Sequence, residues 1–298
     1  MDKAGIWTII GDRINPGFKA TKQLVEDQNL AGLQALAVRQ VETGADALDF
    51  TLGPDARFDA EFLKDAIVAV QEAVDAPLCF DYPESETQRL CLNAYDPGKA
   101  GGAVPIINSI AETRWEMVDL LRIQPCKITM MVSERLEDGA AKPNQTAEEM
   151  ATTAKRTALR LRDENGVPLD DIIIDVSLAA VAGDMEGHNQ EALHAMALIR
   201  NDPDLAGIHI TGGIINLGGL LPPKAADGSS LREQVECAFL TLAQPLGMDT
   251  IIGTPWRDFR FLPDDSYVLC VLKEILDARG MDVMRKVRKL YTPQRVTT

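Results

Sequence analysis

Short apolar runs and longer stretches with apolar positions near helical spacing alternate eight times along the chain. The apolar runs cover 7–10, 47–51, 77–80, 104–107, 127–132, 171–175, a segment opening at Gly207, and 249–252. Each has strand length, and turn residues bound most of them. In AGLQALAVRQVETG, Ala31, Leu33, Leu36, Ala37, Gln40 and Val41 fall near one helical face, and Gly44 stands where a C-terminal cap belongs. Further helices are expected over about 59–74, from about Ser85, beyond Ser109, from Thr146 to about Glu164, over 190–200, from Ser229 or Ser230 to Leu246, and over about 265–279. Glu112 falls in the first turn of the helix after Ser109, where a carboxylate favours the dipole. Thr146 and Glu149 have the spacing of a capping box. Between the fifth strand and that helix, 133–144 reads as a long polar loop.

Eight strand–helix repeats fit an α/β barrel, a (β/α)8 TIM barrel, better than an open doubly wound sheet. One set of connections is short, through Gly44-Ala-Asp, Asn165-Gly-Val-Pro and Gly247-Met-Asp; the other set is longer and carries the unusual polar residues. That asymmetry is expected when one rim is structural and the other functional. With 298 residues and no linker-like change of composition, residues 1–298 read as a single barrel domain.

Polar residues close six of the eight runs. IIGDRIN, ALDFTLG, PLCFDYP, PIINS, IIIDVS and GGIIN put Asp12, Asp49, Asp81, Asn108, Asp175 and Asn216 just after apolar stretches. In a parallel barrel all six gather at one rim. Carboxylates accept hydrogen bonds and an amide both accepts and donates, so the set suits a flat ring with an amino group, a ring N–H and a carbonyl, as in an aminopyrimidinone. A glycosidase acid–base pair is the other use of two carboxylates, but aromatic platforms for sugars are scarce at 5% aromatic residues. Local roles compete at each position: Asp12 capping the first loop or pairing with Arg13, Asp49 holding backbone or Arg13 and Asn15, Asp81 as a turn aspartate before Tyr82-Pro83, Asn108 capping the following helix.

The segment TGGIINLGGLLPP has Gly212, Gly213, Gly218 and Gly219 around Asn216. Glycines there allow positive φ or a close approach of backbone to a ring. The segment is neither GxGxxG nor a P-loop. Lys224 lies beyond it, either near an anionic tail of the ligand or simply solvated.

A formal charge of −15 opposes binding to nucleic acid or an anionic membrane surface. No apolar run reaches the length of a membrane span or a signal peptide. The five cysteines are scattered without a CxxC, so a cytoplasmic setting without disulfides is expected; Cys79 and Cys270 read as core fillers. His188, His194 and His209 form no HxH or HExxH pattern, and the spacing of His188 from Asp184 and Glu186 is a weak metal signal, so no protein-bound metal is expected.

At these residues the chain resembles the pterin-binding methyltransferase family, in the branch that exchanges methyl groups between methyltetrahydrofolate and corrinoid proteins. GDRIN resembles the family's GERIN, with Asp12 in place of the glutamate; RQVETGADALDFTLG looks like its second strand and preceding helix. LCFDYP matches its LCLDS, IINS its INS, IIIDVS its YIDP without the final proline, and GIIN its GLSN with Ile215 in place of the serine. The resemblance runs through nearly the whole chain and rests on the order and spacing of these motifs. It implies a dihydropteroate-synthase-like barrel, a homodimer, and a pterin held by Asp81, Asn108 and Asp175, with Gly213 beside it and Asn216 as the catalytic amide near N5 of the folate.

The implied reaction is methyl transfer between N5 of tetrahydrofolate, or 5-methyltetrahydrofolate, and the cobalt of a cobalamin-type corrinoid, in either direction. DMEGH, at 184–188, has the wrong order for the DxHxxG signature of corrinoid domains, so the corrinoid is expected on a separate partner protein. The small residues Gly218 and Gly219 offer one route of access for it. Three alternatives stay open. A dihydropteroate synthase is disfavoured because IIGTPWRD lacks an Arg-x-His pattern at the eighth strand. A corrinoid-dependent methyltransferase acting on a small methylated donor is disfavoured by the carboxylate–amide set. A non-catalytic pterin-binding or corrinoid-chaperone protein is separated from an enzyme by whether methyl exchange accompanies folate binding.

Overall fold

The computed structural model describes residues 7–225 and 228–292. In chain order the elements are β1 (Thr8–Ile14), α1 (Lys19–Glu26), α2 (Leu30–Glu42), β2 (Ala47–Phe50), α3 (Ala60–Ala73), β3 (Leu78–Asp81), α4 (Ser85–Ala94), β4 (Ile106–Ala111), β5 (Lys127–Met131), β6 (Glu134–Glu137), β7 (Ala140–Pro143), α5 (Ala147–Asn165), β8 (Ile172–Asp175), α6 (His188–Asn201), β9 (His209–Thr211), α7 (Leu231–Ala243), β10 (Thr250–Gly253), α8 (Tyr267–Leu276) and α9 (Met281–Lys289). Eight strands pair in parallel in the order β10-β1-β2-β3-β4-β5-β8-β9. The ends of that order meet: Asp249 N–H donates to Ile210 O at 3.2 Å, and Gly213 bridges Ile252 in parallel. The sheet is therefore a barrel, as the eight alternations predict.

Side chains on a strand alternate between two faces. The outward set, including Phe50, Phe80, Ile107, Ile128, Met130, Ile174 and Ile210, packs under the helices in the main core. The inward set forms a second, smaller apolar layer of Ile10, Ala47, Cys79, Ile106 and Ile173, with Ile252 against it. Two residues further along each of those strands, the same face carries Asp12, Asp49, Asp81, Asn108, Asp175 and Thr254. Thr129 and Thr211, both buried, occupy the equivalent inward face of β5 and β9. Every strand thus brings a polar side chain to the inside, and those at 12, 49, 81, 108, 175 and 254 stand above the apolar layer.

The helices follow local chemistry. Asn29 accepts from Gly32 N–H at the start of α2, and Gly44, at φ 105°, takes the left-handed position past its end. The capping box opens α5 with both reciprocal bonds, and Gly166 closes it at φ 70°. Asp12 and Asn108 lie within their strands rather than after them, because β1 and β4 run past a register shift on each.

The structure corrects several expectations. The loop 133–144 contains a hairpin, β6 paired antiparallel with β7. Glu112 does more than face a dipole: it pairs with Arg156 of α5 at 2.6 Å and accepts from Leu136 N–H of the hairpin. The segment Glu112–Arg122 is 3₁₀ and kinked rather than a regular helix. Two helices are additional, the polar α1, which buries only Thr21, and α9, which buries Val283 and Val287. Cys79 is core, whereas Cys270 is exposed. No helix among the described residues is long and apolar enough to cross a membrane.

Candidate functional site

The polar ring opens into a cavity of about 340 Å³ at the C-terminal mouth of the barrel. Asp12, Asp49, Asp81, Asn108, Asp175 and Asn216 all line it, as does Gly213. Asp81 and Asn108 are register partners across β3 and β4. Asp175, at the end of β8, is in register with Met131 on β5 and Thr211 on β9. Neighbouring strands therefore supply the acceptors at set heights, independently of loop conformation.

Bonds and helix bounds bear on the local roles of Asp12 and Asn108. Asp12 Oδ1 accepts from Thr254 Oγ1 at 3.0 Å. Asn108 does not cap the next helix, whose preceding residue is Ala111; its backbone carbonyl accepts from Gln88 Nε2, which also reaches Phe80 O and Tyr82 O. The buried Gln88 thereby fastens β3 to β4 beneath the two candidate ligands. The Tyr82 hydroxyl accepts from Leu52 N–H of the neighbouring loop at 2.8 Å. Asp175 Oδ1 accepts from Ser177 N–H at 2.7 Å. Asp184, expected only as a weak metal candidate, instead accepts from His188 and Asn189 N–H at the start of α6, while the His188 ring bonds Ser177 O. Among the described residues no group of three or more His, Cys, Asp or Glu is placed to hold a metal.

Four carboxyl groups converge here, and burial dominates their ionisation. Burial, with the charge of Asp81 adding and the Ser177 N–H opposing, pushes Asp175 up to about 6. Asp49 is held well above the ordinary carboxylate range by burial, then by the charges of Asp81 and Asp12. Burial also raises Asp12 against the Thr254 hydroxyl and the charges of Arg13 and Arg257, and raises Asp81 against the charge of Arg114. Asp12 Oδ2 and Asp49 Oδ1 are buried without a hydrogen-bond partner among the described residues. Unpaired buried acceptors are costly, and they face a cavity of a size that takes a small ligand.

The glycine-rich turn uses closeness rather than unusual dihedrals. Gly212, Gly213, Gly218 and Gly219 are not among the positive-φ residues, whereas Leu220 is, at 64°. A Cβ on Gly212 would meet Leu178 at 2.8 Å, and one on Gly213 would meet Asn216 Nδ2 at 2.7 Å. Gly213 therefore leaves room for the Asn216 amide. The expected access route at Gly218 is closed, because that residue is buried and packs against Arg232. Asn216 itself is exposed at the mouth, and Leu220 beyond it is 81% exposed. Lys224 is exposed and is not part of the cavity lining.

Sequence reasoning missed Arg114, Met131, Tyr82 and Phe18 in the lining. Phe18 lies under the Arg13 guanidinium, 3.5 Å from ring centroid to Cζ. Beyond β10, Arg257 bonds the buried Glu236 of α7, and Trp256 stacks with Arg39 of α2 at 3.9 Å. The sequence signal for Phe18 was its place one residue after Pro16-Gly17; Arg114 gave none, since its segment read as an outward helix.

A parallel barrel with one polar ring and one mouth defines an enzyme-type site for a flat hydrogen-bonding ligand. Residues 18–253 match the family described as pterin binding enzyme, and the chain belongs to that family. It is 28% identical over 253 residues to the methylcorrinoid:tetrahydrofolate methyltransferase of Eubacterium limosum, covering 83% of this chain and 84% of that one. Its fold is similar to solved dihydropteroate synthases. The one from Yersinia pestis has a TM-score of 0.58 at 13% identity, with 92% and 95% of the two chains covered. The one from Stenotrophomonas maltophilia has 0.57 at 16%, with 97% and 95% covered. At that identity the likeness speaks for the barrel alone.

Proposed function

We propose that the chain is a single barrel domain that transfers a methyl group between N5 of tetrahydrofolate and the cobalt of a corrinoid carried by a separate protein. The observation that carries this reading is the convergence of Asp81, Asn108 and Asp175 on one cavity, in a chain of the pterin-binding family whose Eubacterium limosum relative is named for the same two reactants. The donor set fits a pterin. Carboxylates accept from its amino group and ring N–H, and an amide serves the edge where donor and acceptor alternate. The raised, partly unpaired carboxyls gain those donors on binding, which offsets their desolvation.

The Asn216 amide is the catalytic residue in this reading. The corrinoid supplies a metal centre that gives or takes the methyl group. Making or breaking the N5–carbon bond changes the charge and hydrogen bonding at N5. An amide next to that atom stabilises the change, more strongly at the transition state than in the ground state. An amide is too weak a base to remove a proton itself, and the exposure of Asn216 gives N5 access to solvent protons. The same exposure, with Leu220 beside it, leaves the mouth open to a partner's corrinoid. The reading includes a homodimer working in the cytoplasm.

Fluorescence or calorimetric titration of 5-methyltetrahydrofolate into the purified protein tests the pterin part. Saturable binding that Asp175→Asn weakens is expected. Equal affinity of wild type and variant would remove Asp175 from the site.

A further inference from the structure

Asp12, Asp49, Asp81 and Asp175 surround one cavity, and burial together with like charge disfavours ionising all four at once. Pterin recognition needs acceptors at particular places, and a protonated carboxyl presents a donor instead. The site therefore has to decide which carboxyl keeps its charge. We propose that Arg114 makes that decision: it is a positioning residue that keeps Asp81 an ionised acceptor, an inference that rests on the pterin reading above.

Among the described residues that line the cavity, Arg114 is the one cation. It is delivered there by the kink after β4, where its φ of −131° and ψ of 48° depart from the helical path of its neighbours. Its Nη2 donates to Ser109 Oγ at 2.9 Å and lies 3.2 Å from Met131 Sδ. Both contacts are neutral, so they hold the guanidinium in place without cancelling its charge. The other arginines near the mouth act elsewhere. Arg13 lies over Phe18 and Arg257 bonds Glu236, and both bear on Asp12.

The groups that bear on Asp81 are Asp49 from β2, Cys79 from its own strand, Asp175 from β8, and Arg114 beyond β4. Of these, the carboxyls oppose ionisation of Asp81 and Arg114 favours it. Asp49 and Asp175 are helped only by hydrogen bonds, Asp49 from Asn108 and Cys79 and Asp175 from Ser177 N–H, and burial outweighs these to raise both. Division of labour follows: a charged acceptor on the Arg114 side, and carboxyls that hold protons more readily on the others.

The test is calorimetric titration of 5-methyltetrahydrofolate into wild type, Arg114→Gln and Arg114→Lys across about pH 6 to 8.5, in two buffers of different ionisation heat. Losing the cation raises Asp81 further. Arg114→Gln is expected to bind about tenfold more weakly near the acid end, the equivalent of roughly one pH unit, with the deficit closing toward the alkaline end. Binding to Arg114→Gln should also release more protons than binding to wild type at the acid end, and Arg114→Lys should restore the wild-type profile. In an Asp81→Asn background, Arg114→Gln should leave the pH profile unchanged. A loss that is the same at every pH, without proton release beyond that of wild type, would mean that Arg114 is structural and overturn the proposal. An unaltered profile would overturn it too. Failure of wild type to bind would instead sink the pterin reading, and this proposal with it.

Discussion

Asp81 and Asn108 face each other in register across β3 and β4, so a carboxylate and an amide stand side by side on the inner wall of the barrel. Gln88 ties the backbone beneath them, donating to Phe80 O, Tyr82 O and Asn108 O. Their spacing is thus a property of the sheet. Positions built on strands hold a ligand more tightly in place than positions on loops.

Asp175→Asn separates binding from stability. The amide cannot replace a carboxylate accepting from two donors, so affinity for 5-methyltetrahydrofolate should fall about 10–100-fold. Stability should move the other way at neutral pH. The folded-state value of Asp175 is about 6, above its ordinary 3.8. The native state therefore takes up protons between these values, and wild-type stability falls as pH rises through that window. Asn carries no such penalty, so the variant should be more stable above it by no more than about 3 kcal/mol, with the advantage vanishing toward pH 4. Denaturant unfolding at several pH values checks this; a variant less stable than wild type at pH 8 would contradict it.

Asn216→Ala should slow single-turnover methyl transfer about 10²–10³-fold, the usual effect of removing one transition-state donor, with folate affinity changed only modestly. A proportional loss of binding and rate would assign Asn216 to uniform binding instead.

Gly213→Ala should imitate that defect without touching the amide. Its new Cβ would lie 2.7 Å from Asn216 Nδ2, and Gly213, at φ −68°, tolerates alanine in its backbone. The side chain of Asn216 has to swing away. Transfer should slow while the unfolding midpoint stays close to wild type. In the double variant the two losses should not add; full additivity would show that Gly213 acts independently of Asn216.

Beyond β10, Arg257→Met strands the buried Glu236 of α7 and should cost about 3–5 kcal/mol, the usual penalty for breaking a buried pair from one side. Arg257→Met with Glu236→Leu should recover much of that. The measurement is denaturant unfolding of the single and double variants; equal stability of the two would mean that Glu236 finds another partner.

Much of the barrel and its polar ring was legible because both follow from a period of two. Ile10, Ala47, Cys79, Ile106 and Ile173 set the inward face, and the acids and amide two residues on share it. What escaped depends on tertiary contacts. The polar α1 and the hairpin 134–143 have little apolar periodicity of their own; the hairpin is fastened by Glu112 and by Arg135, which reaches Glu137 and Glu149. Helix α9 starts after Gly280, where the preceding pattern stops. Arg114 enters the site through a kink that no spacing announces. The glycines of the turn after β9 were visible, but whether they served positive φ or close packing depended on Leu178, Arg232 and Asn216 around them.

Methyl exchange itself is the most direct test of the central claim. The purified protein is mixed anaerobically with 5-methyltetrahydrofolate and cob(I)alamin, and methylcobalamin is followed by absorbance; the reverse starts from methylcobalamin and tetrahydrofolate. Protein-dependent exchange, abolished or greatly slowed by Asn216→Ala, is the expected result. Saturable folate binding with no exchange in either direction, with free cobalamin or with a corrinoid protein, would contradict it and leave a pterin-binding protein without methyltransferase activity.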